Sequence, residues 1–289
     1  MKTGLIMEGG AMRGMFTAGV IDVMMEHDIR YDGAIGVSAG ASFGCNYQSW
    51  QIGRVIRYNE RFAKDPRFGS MRSLLLTGDY YGAEFCYHRL PTELDYFDVE
   101  TFESNPMEFY CVCTDVDTGK AVYHKCKDGK YEDLEWIRAS ASMPIFSVPV
   151  EIGGRRLLDG GISDSIPLRY FQYKGFDRNV VILTQPKGYV KKKSKAAPLI
   201  PIALRKYPMV AKRLANRAEA YNRQVAYVEE QAALGNTLVI YPPCELEVGK
   251  TEHDPNKLRL VYEIGREEGE RVLDEVVEFL KGTPAPAET

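Results

Sequence analysis

Two apolar runs, each closing in a glycine-rich turn and followed by a helical pattern, fill residues 1–53. Leu5-Ile6-Met7 runs into the turn EGGAMRG, after which Phe16, Val20, Val23 and Met24 recur at helical spacing to near Asp28. Ala34-Ile35-Gly36-Val37 then runs into Ser38, and Ala39 to Gly53 reads as the next helix. Strands joined through a helix cannot pair as a tight hairpin; they pair in parallel, with the helices crossing over the sheet. This opening therefore commits the chain to an α/β architecture.

The rest of the sequence extends that pattern. Phe109 to Cys113 is apolar on both faces, as a central strand is. DVDTGKAVYH reads as a turn feeding another strand, Tyr131 to Ala139 as a short helix, and Ile152 to Leu158 as a strand or hairpin turning at Gly153-Gly154. Val180 to Leu183 and Leu238 to Tyr241 are late strands, and Leu258 to Leu280 is a closing amphipathic helix. Residues 198–234 read as mostly helical, broken at Pro201 and Pro208. The segment from Arg54 to Asp98, rich in Arg, Tyr and Phe, reads as helical turns and loops flanking an entrance.

The second glycine turn, GVSAG at 36–40, holds a serine where the strand becomes a helix. Small neighbours permit the sharp bend of a nucleophile elbow, and the first amides of the following helix face developing negative charge. The upstream turn belongs on the same sheet edge, because parallel neighbours end together. The amides of Gly10 and Ala11 then form an oxyanion hole, with Arg13 adding positive charge. A dinucleotide-binding turn is the competing reading; it requires G-x-G-x-x-G, and from Gly9 the third position is Ala11.

The base is less plain. Ser38, Asp159 and His253 satisfy a Ser, Asp, His order on paper, but His253 lies in the polar stretch TEHDPNK and Ser38 ends only the second strand. His27 ends a surface helix, and His88 and His124 have no evident partner. Asp159, in RRLLDGGISDSIP, follows an apolar strand and precedes two glycines, so its carboxylate projects from a turn. An ordinary Asp-Gly turn is the structural alternative. A carboxylate with a pKa of about 3.9 accepts a serine proton poorly unless burial raises that value. Such a pair suits esters, whose leaving groups need less help than amines do.

At this point the residues resemble the patatin-like phospholipase family. Its motifs appear in order: GGAMRG at 9–14, GVSAG at 36–40, the segment ASASMPIFSVPV at 139–150 and DGG at 159–161. The resemblance covers roughly the first 170 residues and implies a three-layer α/β sandwich with a central, mostly parallel sheet. It implies a Ser38–Asp159 dyad, an anion turn of Gly9, Gly10, Ala11, Met12, Arg13 and Gly14, and hydrolysis of lipid acyl esters with neither metal nor organic cofactor. One departure is Ala11, where the family commonly has glycine; the hole is expected to survive provided that residue keeps a negative φ. One hydrolase domain over 1–281 and a disordered tail over 282–289 are expected. An acyltransferase working through the same acyl-serine, or a non-catalytic lipid-binding protein, are the alternatives.

Composition narrows the remaining choices. Apolar content of 45% and charged content of 27% are ordinary for a globular chain. MKTGLIMEGG enters a strand and turn directly, without a secretory leader's long apolar stretch, and a cytoplasmic location is expected. Six cysteines lack paired C-x-x-C spacing and read as reduced, mostly buried residues; a metal reading of Cys111 and Cys113 has only His124 and Cys126 nearby in sequence. Net charge is −3, yet Arg178 to Ala218 carries eleven Lys or Arg and no acid, leaving −14 on the remainder. This window reads as a solvated loop followed by a helix with a basic outer face. Contact of 187–217 with an anionic membrane is the alternative, and no recognition motif supports nucleic acid.

Overall fold

The computed structural model describes residues 1–193 and 197–282. In chain order the elements begin β1 (Lys2–Met7), α1 (Gly14–Glu26), β2 (Gly33–Val37), α2 (Ala39–Gln48), α3 (Arg54–Phe62), α4 (Met71–Thr77) and α5 (Val99–Ser104). Then come β3 (Glu108–Asp115), β4 (Ala121–Lys125), α6 (Tyr131–Ser140), β5 (Val150–Ile152), β6 (Arg155–Asp159), α7 (Leu168–Tyr173) and β7 (Phe176–Ile182). The last are α8 (Ile200–Ala203), α9 (Pro208–Ala215), α10 (Arg217–Ala233), β8 (Thr237–Ile240) and α11 (Pro255–Lys281). A wide helical stretch over Phe85–Leu94 and a few short 3-10 turns complete the described residues.

All eight strands join one sheet in the order β5-β6-β3-β2-β1-β7-β8, with β4 lying antiparallel on β3. The run β3-β2-β1-β7-β8 is wholly parallel, while β6 meets β3 antiparallel and forms a hairpin with β5. Successive side chains along a strand face opposite sides, and the two cores obey that parity. Leu5, Met7, Ala34, Phe109, Cys111, Val180 and Ile182 pack on one face with α1, α2 and α11. Ile6, Ile35, Val37, Tyr110, Val112 and Val181 pack on the other with α7 and α10. The expected three-layer α/β arrangement around a mostly parallel sheet is the observed one.

Differences from the expected boundaries are small and local. The helix after Ser38 stops at Gln48 rather than Gly53, because Trp50 and Gly53 both turn into positive φ. Of the tail expected from 282, Gly282 caps α11 with φ +90°; 283–289 fall outside the described residues, as do Ser194, Lys195 and Ala196 of the basic window. Strand order runs outward from β1 in both directions, to β2 and β3 on one side and β7 and β8 on the other. In open parallel sheets a crevice opens at the carboxyl ends of strands where the order reverses this way.

Candidate active site

Ser38 lies at that crevice, at the end of β2, with φ +55° and ψ −121°. A non-glycine residue in this conformation carries about 1–3 kcal/mol of strain that its surroundings must offset. They do so through two contacts. Its amide donates to Ser140 Oγ at 3.0 Å, and Ser140 Oγ donates onward to the Val112 carbonyl of β3 at 2.6 Å. The Ser38 carbonyl starts α2 by accepting from Ala41 and Ser42. Ser140 belongs to the ASAS segment that the sequence singled out without assigning it a task; its link between elbow and sheet is tertiary.

The two residues paired from sequence meet. Ser38 Oγ donates to Asp159 Oδ2 at 2.7 Å, and Asp159 Oδ1 accepts from the Gly161 amide at 2.7 Å. Asp159 is held by its backbone as well, its amide donating to Ser142 O and its carbonyl accepting from Thr114 Oγ1. Relative exposures of 8% and 5% remove both side chains from bulk water. Burial pushes the Asp159 carboxyl above the usual range; the Ser38 hydrogen bond, Arg217, the Gly161 amide and Lys250 pull it partly back.

The histidines are engaged elsewhere. His253 places Nδ1 2.6 Å from the Ala63 carbonyl and Nε2 2.5 Å from Tyr80 Oη. His88 pairs with Glu135, His124 with Asp133 and His27 with Glu270. The Ser, Asp, His order of the sequence is thus not assembled around Ser38.

The glycine turn after β1 does lie beside the elbow. A Cβ on Gly9 would stand 2.8 Å from Ser38 Cβ, and one on Gly10 would stand 2.6 Å from Thr184 Oγ1 beyond β7. Only glycines allow the turn to wedge between these neighbours. Gly10, Ala11 and Arg13 line the polar side of Ser38; Met12 is buried and, with Ala11, lines the apolar side, while Gly14 opens α1. The condition set for Ala11 is not met. Its φ is +51°, because the chain must reverse there into a 3-10 turn. For alanine this left-handed conformation costs about 1–2 kcal/mol.

Two cavities share Ser38. The first, of about 120 Å³, is lined mainly by apolar side chains, among them Phe43, Phe68, Leu90, Phe97, Leu134 and Ile137. Much of this wall comes from residues 54–98, the segment expected to flank an entrance. The second, of about 490 Å³, also reaches Asp159 and is lined by Arg13, Lys191, Lys192, Lys193, Arg217 and Lys250. Part of the acid-free window therefore turns inward to the site instead of standing on a solvated face. Lys191 and Arg217 had that charge bias as a signal; Lys250 had none. Ile145, a β-branched residue at φ +76°, sits at the mouth of this cleft.

The cysteine region has a different character. A His124 ring nitrogen, Cys126 Sγ and an Asp133 oxygen lie within 4.8 Å of one another. Asp133 is already committed, with Oδ1 2.8 Å from His124 Nε2 and Oδ2 accepting from the amides of Lys127, Asp128 and Gly129. His124 stacks on Trp136 with centroids 4.3 Å apart. The cluster acts as a loop clamp. Among the described residues no helix is long and apolar enough to cross a membrane.

A family model described as patatin-like phospholipase matches residues 5–171, more than half of the chain, and a domain of unknown function, DUF6363, matches 207–281. The chain is 32% identical over 192 residues to the uncharacterized protein YjjU of Escherichia coli K12, aligning 64% of itself with 52% of that protein. It is 28% identical over 180 residues to lysophospholipase NTE1 of Phaeosphaeria nodorum, covering 61% of this chain and 11% of that one. Against lysophospholipase nte1 of Aspergillus oryzae it is 25% identical over 309 residues, covering 100% and 19%. The chain thus spans about half of the first relative and far less of the others. VipD from Legionella pneumophila aligns with a TM-score of 0.46 at 12% identity, over 95% of this chain and 67% of that chain.

Proposed function

The chain belongs to the patatin-like phospholipase family, and from that premise we propose that it hydrolyses lipid acyl esters through a Ser38–Asp159 dyad. The observation that carries this reading is the 2.7 Å hydrogen bond between the two side chains at the junction of an apolar and a polar cavity. The acyl chain enters the apolar cavity and the leaving alcohol faces the polar cleft.

Ser38 Oγ forms a bond to the acyl carbon as its proton passes to Asp159 Oδ2. The tetrahedral oxyanion is received by the amides of Gly10 and Ala11, with Arg13 alongside. Collapse breaks the ester bond, and the departing alkoxide takes the proton back from Asp159. Water, deprotonated in turn by Asp159, then attacks the acyl carbon; the bond to Ser38 Oγ breaks, Oγ takes the proton back from Asp159, and the fatty acid is released. A buried carboxyl with a raised pKa is a better base for this step than a solvated one. An alkoxide leaving group suits it, because less proton transfer is needed than for an amine. Relatives named lysophospholipase support a monoacyl lipid as substrate.

A fluorophosphonate probe tests the assignment. The parent is expected to label at Ser38, Ser38→Ala not at all, and Asp159→Asn more slowly by about 10²-fold or more, the scale of general-base catalysis. Hydrolysis of monoacyl lipids is expected to fall in the same order. Undiminished labelling of Ser38→Ala would remove the nucleophile.

A further inference from the structure

The polar cleft contains more positive charge than the dyad chemistry requires. Arg13, Lys191, Arg217 and Lys250 all line it, and among the described residues none has a carboxylate within ion-pair distance. Nearby acids are engaged: Glu8 accepts from the Thr184 amide and hydroxyl, Asp159 holds Ser38, and Glu219 pairs with Lys193. Arg13 Nε is buried with no hydrogen-bond partner.

Lys191 and Arg217 are half-buried and held in place, while Lys250 is exposed and held through its backbone. The Lys191 backbone is clamped on both sides by Asn222, which accepts from its amide at 2.9 Å and donates to its carbonyl at 3.0 Å. Lys191 Nζ rests 4.0 Å over the Tyr221 ring, and Arg217 Nε donates to the Gly161 carbonyl at 2.8 Å, directly behind Asp159. The Lys250 carbonyl accepts from Tyr81 Oη at 3.1 Å. Burial first, then Arg217, Arg13 and Lys250, push the Lys191 ammonium down to about 8; burial and the same arginines lower Lys250. Glu8 and Asp159 offset part of this charge, Glu8 at Lys191 and Asp159 at Lys250, and a multiply charged anion in the cleft would offset more of it.

Taking the ester chemistry above as its basis, we propose that Lys191, Arg217 and Lys250 bind a phosphomonoester carried by the leaving alcohol, and so select acyl-glycerol phosphates over neutral or choline-bearing esters. A phosphomonoester brings a charge of about −1.5 to −2 and three acceptor oxygens, matching several donors at once. A choline group would instead carry a cation into a cationic cleft, and a bare glycerol would leave the cluster unfilled. None of the three residues lies within the matched family segment at 5–171. The specificity therefore comes from the chain's later half.

The test compares 1-acyl-glycerol 3-phosphate with the monoacylglycerol and lysophosphatidylcholine of the same chain length. The parent is expected to prefer the phosphate ester at least tenfold in kcat/KM. Lys191→Met, Lys250→Met and Arg217→Met each reduce that preference by about ten- to a hundredfold, mainly through KM. Lys206→Met, an exposed lysine outside the cleft, keeps the parent's ratio. Fluorophosphonate labelling of Ser38 reports folding and nucleophile separately in each variant. A parent that cleaves monoacylglycerol without preferring the phosphate ester, or cleft variants with the parent's ratio, overturns this specificity and leaves the dyad standing. Inorganic phosphate that inhibits the parent but not the variants, with no substrate preference, assigns the cleft to a free anion and likewise overturns it. A parent that neither labels nor hydrolyses any of the three removes the dyad itself.

Discussion

Asp159 shows how one residue is tuned by opposing influences. Burial raises its carboxyl, while the Ser38 hydroxyl, Arg217, the Gly161 amide and Lys250 favour the ionised form. In the proposed chemistry the ionised form is the one that accepts the serine proton. Activity should therefore be lost as pH falls through the raised folded value, and the acid limb of kcat/KM for a neutral monoacyl ester should lie above pH 3.8. Lys250→Met removes one cation that stabilises the carboxylate, so the limb should move to higher pH. A limb that stays in place or moves down would contradict this account. The pairing was legible in the sequence, since Ser38 sits between Gly36 and Gly40 where a strand pattern becomes a helix pattern and Asp159 follows a strand and precedes two glycines. The left-handed φ of Ala11 was not, because alanine carries no signal for it and the requirement comes from the neighbours around the turn.

At the scale of elements, α1 and α11 meet backbone to backbone. A Cβ on Gly19 would stand 2.1 Å from the Tyr262 carbonyl oxygen, and one on Gly265 would stand 2.1 Å from that of Phe16. Tyr262 Oη also donates to the buried Asp22 of α1 at 2.7 Å. The contact reaches the site, because α1 begins at Gly14, immediately after the turn beside Ser38. On an exposed helix, glycine to alanine stabilises by about 1 kcal/mol. Here Gly19→Ala and Gly265→Ala should instead destabilise, by about 1–3 kcal/mol or more, since backbone must shift. Urea denaturation of both variants checks it, and a gain in stability would disprove the close crossing. The amphipathy of the last helix was readable from its apolar spacing. Its partner was not, because Gly19 and Gly265 are distant in sequence and meet only across the packed layer.

Across the whole molecule, exposed apolar side chains gather near the mouth of the cleft. Leu75 and Leu76 on α4 are 82% and 73% exposed, and the C-terminal end of α4 is joined to the 145–148 segment by the Val148 amide, which donates to Asp79. Ile145 and Val148 on that segment are exposed, as are Leu199 and Ile202 near the lysine-rich stretch. Apolar side chains beside Lys and Arg suit an anionic bilayer surface. Co-sedimentation with vesicles should rise with anionic lipid, weaken at high salt, and fall in Leu75→Ser/Leu76→Ser; binding indifferent to all three would exclude the contact. Local pattern determined the α/β class, the strand-to-helix turn at Ser38 and the glycine turn, and put Asp159 forward as the partner carboxylate, because strand periodicity and tight-turn chemistry are properties of adjacent residues. Tertiary structure alone decided that Ser140 braces the elbow, that the histidines stand aside, and that Lys191, Arg217 and Lys250 converge on one cleft. Those outcomes depend on distances between segments far apart in the chain, which sheet order and helix packing set and no short stretch of sequence encodes.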